Sequence, residues 1–119
     1  MIEQVTVSQL PQWLQAAHQD GQPAQVLDVR EADELQVAAI APAAITAIQG
    51  AFVHIPMSQL AARVGELDPE LPVACLCHHG GRSQRVAMYL AQQGFAKVAN
   101  IAGGIDAWSR EVDASVPRY

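Results

Sequence analysis

Seven residues that can do chemistry stand in unbroken order at Cys77-His78-His79-Gly80-Gly81-Arg82-Ser83. A short apolar run, Leu71 to Leu76, precedes them and reads as a buried strand. Gln84 to Gln93 follows and reads as a helix. A glycine-rich bend between a strand's carboxyl end and a helix start makes a cup of backbone N–H groups, and the helix adds positive potential. Both favour the thiolate of a cysteine at the base of the cup, which is the nucleophilic form. Cys77 is therefore the candidate catalytic residue, set up for covalent chemistry.

The other loop residues form the candidate substrate-binding set: His78, His79, Gly80, Gly81, Arg82 and Ser83. The two glycines allow positive φ and close approach of a ligand. Arg82 either steadies loop carbonyls or binds an anion, since a bare cation at a helix start is unfavourable. Arg85 follows one turn on, and two of the chain's seven Lys and Arg residues thus fall here. That local positive field would steer small anions to the loop. His78 and His79 have three open roles: lowering the thiol pKa, moving a proton, or simple exposure. Cys75 lies inside the strand and reads as a small buried residue on the same face as Cys77. No metal is expected, because four near-adjacent donors (Cys75, Cys77, His78, His79) wrap a tetrahedral ion poorly.

Positioning these residues requires strands that alternate with helices. The strand readings are Ile2 to Val5, Gln25 to Asp28, Phe52 to His54, Val73 to Leu76 and Lys97 to Ile101. Ser8 is read as the cap of a first helix stopped by Asp20-Gly21-Gln22-Pro23. A short helix starts over Glu31 to Leu35, and Ser58 is read as the cap of another carrying Leu60, Ala61 and Val64. Ser83 to Gln93 forms the helix after the loop, with Gly94 stopping it, and a last helix runs from Gly103-Gly104 through Trp108. The pattern predicts an α/β fold, a mostly parallel sheet covered on both faces, with ligands outside the carboxyl ends of its strands. Arg30 and Cys77 both fall just past such ends.

The chain has 119 residues, enough for a single domain over residues 1–119. Half the residues are hydrophobic, and the net charge of -5 argues against nucleic acid or an anionic membrane as partner. No run is long enough to span a membrane, and Met1-Ile2-Glu3-Gln4 lacks a signal-peptide start, so a cytoplasmic location is expected. From Leu35 to Ala62 there is no Asp, Glu, Lys or Arg. The centre of this stretch, Val37 to Ile48, is expected to pack as a buried loop or short helix, with an apolar flap or self-association surface as the alternative.

Four segments together resemble the single-domain rhodanese family: Asp28-Val29-Arg30; Gly50-Ala51 with His54-Ile55-Pro56; Cys77 to Arg82; and Ala102-Gly103-Gly104-Ile105-Asp106-Ala107-Trp108. They occur in that family's order and span nearly the whole chain. The stretch from Glu34 to Gly50 is longer than is usual there. The resemblance implies a five-stranded sheet with the second and fourth strands adjacent, which would bring Arg30 near the loop. Asp28 and Arg30 are then supporting residues, with Asp28 holding loop backbone rather than acting as a base. It further implies sulfur transfer through a Cys77 persulfide, with no cofactor. The donor would be a small sulfur-containing anion such as thiosulfate, or a persulfide. The acceptor would be cyanide or a thiol, possibly on a protein. A monomer or weak homodimer is expected. Two rivals are a non-catalytic interaction or redox-sensing module on the same fold, and a cysteine phosphatase. A phosphatase loop would place five residues between cysteine and arginine, where this chain has four.

Overall fold

Short apolar strands joined through helices pair in parallel, because a parallel neighbour can only be reached by a crossover. A computed structural model describes residues 2–17 and 21–119. Its strands are β1 (Glu3–Thr6), β2 (Ala24–Asp28), β3 (Gly50–His54), β4 (Val73–Leu76) and β5 (Val98–Ala102). They form one sheet in the order β1-β5-β4-β2-β3, and every pairing is parallel. The sheet expected to be mostly parallel is wholly so.

The helices are α1 (Leu10–Ala16), α2 (Ala32–Val37), α3 (Pro42–Ala47), α4 (Leu60–Arg63), α5 (Gly81–Gln92) and α6 (Gly104–Glu111). They cover both faces of the sheet. One apolar cluster joins Leu10 and Leu14 of α1, Ile45 of α3 and Ile105 and Trp108 of α6 to Val26, Leu76 and Ile101. The other joins Leu60 of α4 and Val86 and Leu90 of α5 to Leu27, Val73 and Cys75. Each fully buried aliphatic side chain contributes roughly 1.5–3 kcal/mol relative to exposure. Cys77 belongs to the second cluster with Cys75, the common face that strand alternation requires.

Local starts differ from the sequence reading for identifiable reasons. Gln9, not Ser8, is the N-cap residue of α1; the Ser8 hydroxyl pairs with Thr6, and a turn from Thr6 to Gln9 sets the entry. The stop expected at Asp20-Gly21-Gln22-Pro23 begins at Asp20, outside the described residues. Ser58 does not cap α4 either. The chain leaves Pro56 through a 3-10 turn, Met57–Gln59, and the Ser58 hydroxyl donates to Glu31 at 2.8 Å. α5 starts at Gly81, two residues earlier than expected, so Arg82 and Ser83 sit in its first turn. The centre of the uncharged stretch, Val37 to Ile48, folds as the end of α2, a link and the short helix α3, with Ala38, Ile40 and Ile45 buried and Val37 exposed.

Register fixes what surrounds Cys77. Asp28 pairs with Leu76, so β2 and β4 end level, and Arg30 and Cys77 leave the sheet side by side. Asn100 of β5 pairs with Cys75 and therefore points its side chain to the α5 face.

Candidate active site

Cys77 leaves β4 into a bend that closes on Gly80, whose φ of 116° is open to glycine at little cost. The bend brings the Gly80 N–H to 3.0 Å from the Cys77 sulfur. The loop carbonyls turn the other way. Cys77 O accepts from the Ile105 N–H at 2.9 Å and His78 O from the Asp106 N–H at 3.0 Å, both in the first turn of α6. Gly80 O accepts from the Gln84 N–H and from Asn100 Nδ2, each at 3.2 Å. A loop whose carbonyls are taken from behind presents its N–H side to the sulfur. Gly104 makes this docking possible. A Cβ there would stand 2.4 Å from Cys77 O and 2.5 Å from His78 O, so no other residue lets α6 come so close.

The loop carbonyls are thus held by the α6 N-terminus, not by Arg82. Arg82 instead forms a two-armed ion pair with Glu34 of α2, at 2.7 Å on each arm. The same carboxylate accepts the Glu31 N–H at 2.9 Å, within a capping box, and the Tyr119 hydroxyl at 3.0 Å. Arg82 is the main reason the Glu34 carboxyl is held down to about 2. Glu34 in turn pushes the Arg82 guanidinium above its ordinary value. The helix-start arginine is anion-compensated, and the anion is a residue the sequence reading did not single out.

Arg30 is fully buried. It makes three side-chain contacts with the Asp28 carboxylate, the shortest at 2.8 Å, and donates to Ala38 O and to the Tyr119 hydroxyl. Asp28 also accepts the Arg30 backbone N–H at 3.0 Å, the backbone-holding role expected of it. Arg30 reaches the loop indirectly. Its partner Tyr119 lies parallel to the His78 ring at 3.8 Å between centroids. His79 stands on His78 at 3.9 Å. Burial, and then the neighbouring His79, push the His78 pKa down. His78 Nε2 is buried with no partner among the described residues.

Two placements depart from a simple open cup. Cys77 is only 1% exposed, so its sulfur is lined rather than displayed. Ser83, expected among the substrate contacts, has no exposed surface and lies behind the sulfur, between Cys77 and Asn100. His79 and Gly81 are exposed, while Gly80 and Arg82 are half-buried. Burial pushes the Cys75 thiol up, consistent with an inert core position. The metal donors considered from sequence do not converge. His78, His79 and Asp106 do bring ligand atoms within 4.8 Å of one another. Asp106, however, is bound to Arg110 and Arg118, whose charges oppose a second cation there.

Sequence reasoning missed Glu34, Asn100 and Tyr119. The one signal available was Asn100, a carboxamide inside the otherwise apolar strand Val98–Ala102.

Comparison with known proteins gives a consistent picture. A family model described as the rhodanese-like domain matches residues 10–111. The chain is 39% identical over 100 residues to the rhodanese-like/PpiC domain-containing protein 12, chloroplastic, of Arabidopsis thaliana, covering 81% of this chain and 30% of that protein. It is 36% identical over 107 residues to the adenylyltransferase and sulfurtransferase MOCS3-1 of Zea mays, covering 84% and 21%. The chain thus spans under a third of the length of either protein. The crystal structure of a rhodanese-related protein from Thermoplasma volcanium superposes with a TM-score of 0.72 at 28% identity, covering 92% of this chain and 93% of that one.

Proposed function

The chain belongs to the rhodanese-like domain family, whose relatives here include sulfurtransferases, and from that premise we propose that Cys77 carries sulfane sulfur as a persulfide. The Cys77 thiolate attacks the outer sulfur of a donor such as thiosulfate. A sulfur–sulfur bond forms at Cys77 while the donor's bond breaks, and sulfite leaves with the electron pair. An acceptor thiolate, free or on a protein, or cyanide then attacks the outer sulfur of Cys77 and restores its thiolate. The two half-reactions follow ping-pong kinetics. No cofactor enters.

The observation that carries this reading is the Gly80 N–H on the Cys77 sulfur, in a loop whose carbonyls are drawn off by α6. Fixed donors of this kind stabilise negative charge on a covalent intermediate without reorganising. In this reading the loop residues His78, His79, Gly80 and Gly81 touch the incoming group. Arg82 ties α2 to α5, and Arg30, held by Asp28, supports two separate segments through Ala38 just past α2 and Tyr119 at the other end of the chain. Residues 1–119 act as a single domain in the cytoplasm, and no helix among the described residues is long and apolar enough to cross a membrane. Phosphate hydrolysis is the poorer reading, because Arg82 follows Cys77 after four residues and both its arms are on Glu34. The near-complete burial of Cys77 favours a second reading, a non-catalytic interaction or redox-sensing module.

Mass spectrometry after incubation with thiosulfate separates the two. The intact chain and Cys75→Ala gain one cyanide-removable sulfur, and Cys77→Ala gains none while keeping its fold. Absence of loading on the intact chain with thiosulfate and with a small-molecule persulfide would leave the second reading in place.

A further inference from the structure

We infer that Asn100 is a positioning residue for Cys77, acting through Ser83: its carboxamide oxygen holds the Ser83 hydroxyl hydrogen and so withholds that donor from the sulfur. The inference refines the reading of Cys77 as nucleophile and rests on it for its biological use, though not for its test.

A serine hydroxyl has one hydrogen to give. The Ser83 oxygen lies 2.5 Å from Asn100 Oδ1 and 3.2 Å from the Cys77 sulfur. The first is a short, strong contact; the second is reachable by rotation about one bond. The carboxamide cannot turn its NH2 to the serine without loss, because Nδ2 already donates to Gln4 Oε1 at 2.9 Å and to Gly80 O at 3.2 Å. Gln4 is fixed in turn by donating to Gln84 Oε1 at 2.7 Å. With its hydrogen on Asn100, the Ser83 oxygen offers the sulfur only lone pairs. That suits a neutral thiol, which can donate to Ser83, and gives a thiolate nothing. A thiolate gains the hydrogen only if Ser83 rotates and leaves Asn100 Oδ1 unpartnered in a buried site, Asn100 being 4% exposed. A hydrogen bond to a charged sulfur is the stronger of the two kinds. Asn100 therefore competes with the sulfur for one hydrogen, and removing it frees the donor.

The test is the pH dependence of Cys77 alkylation by iodoacetamide in the full chain, in a Cys75→Ala background so that one thiol reports. The titratable groups around the cup are the same in every variant: His78 and His79 in the loop, Arg82 with Glu34, Asp106 on α6, and Tyr119. Asn100→Ala is expected to lower the alkylation midpoint by about half to one pH unit, a three- to tenfold gain in thiolate below the midpoint. In Ser83→Ala/Asn100→Ala the midpoint is expected to match that of Ser83→Ala alone. A loss of mere structure, with Gly80 loosened from the sulfur, moves the midpoint the opposite way. An unchanged or raised midpoint in Asn100→Ala, or an equal lowering without Ser83, overturns the inference. Should Asn100→Ala fail to fold, Ser83→Ala decides. Its midpoint is expected to rise by less than about half a unit, since the hydrogen is not on the sulfur. A larger rise overturns the inference. Iodoacetamide needs no sulfur donor, so failure here leaves persulfide loading at Cys77 untouched, and failure of loading leaves this result standing.

Discussion

With both arms on Glu34, Arg82 brings little net charge to the rim of the loop, and the exposed Arg85 is left as the cation nearest along α5. The whole chain is acidic at -5. A doubly charged donor such as thiosulfate therefore meets a weaker attraction than the sequence alone suggests. Glu34→Gln is expected to raise the second-order rate of loading from thiosulfate by about three- to tenfold, with a smaller change for a singly charged alkyl persulfide donor, because a local field acts on charge. Equal effects on both donors in stopped-flow loading would show that Arg82 does not act through its field. Residue by residue, the nucleophile and its glycine bend were legible because they are contiguous from Cys77 to Ser83. Glu34, Asn100 and Tyr119 were not, because each meets the loop only through the fold. Glu34 lies 48 positions from Arg82, and Asn100 lies 17 from Ser83.

Among the elements, α6 does most to shape the loop, and it does so through backbone alone. Gly104 has φ 58° and no room for a Cβ against the carbonyls of Cys77 and His78. Gly104→Ala is expected to cost about 2–4 kcal/mol from strain and displacement of the loop. Chemical denaturation and persulfide loading should fall together; normal loading in a folded variant would show that α6 does not set the loop. The tie between α2 and α5 depends on pH. Arg82 first, and then the Glu31 N–H and Tyr119, hold the Glu34 carboxyl at about 2, below its ordinary 4.5. A carboxyl depressed by folding stabilises the native state above its unfolded value, and that contribution fades as pH falls from about 4.5 to about 2. The stability gap between the native chain and Glu34→Gln is expected to be full near neutrality and to close across that window. A gap that is constant with pH would assign Glu34 a packing role only. Strand and helix identities were legible from apolar spacing, whereas starts were not. Ser8 and Ser58 carry good capping side chains, yet turns after Thr6 and Pro56 send those hydroxyls elsewhere.

Across the whole molecule, the sheet separates two cores, and the uncharged segment closes one of them through Ile45. Ile45 is fully buried, so Ile45→Ala is expected to destabilise by about 2–5 kcal/mol while sparing the loading of Cys77, which packs in the other core. A loss under about 1 kcal/mol, read by thermal or urea unfolding, would mean the segment does not complete the core. The strand order itself could not be read from spacing; adjacency of β2 and β4 came from the resemblance, and the flanking positions of β1 and β3 from the structure. That order has a consequence in time. β1 precedes the other elements in the chain, yet its only strand partner among the described residues is β5, with Glu3 beside Ala99. Its docking must await nearly the entire domain, the kind of distant closure that slows folding. Gln4 of β1 is also what orients Asn100 beneath the nucleophile. A newly made chain can therefore complete β2, β3 and β4 before β1 has a strand to pair with, and the carboxamide beside Ser83 gains its Gln4 partner only when the first strand of the domain meets the last.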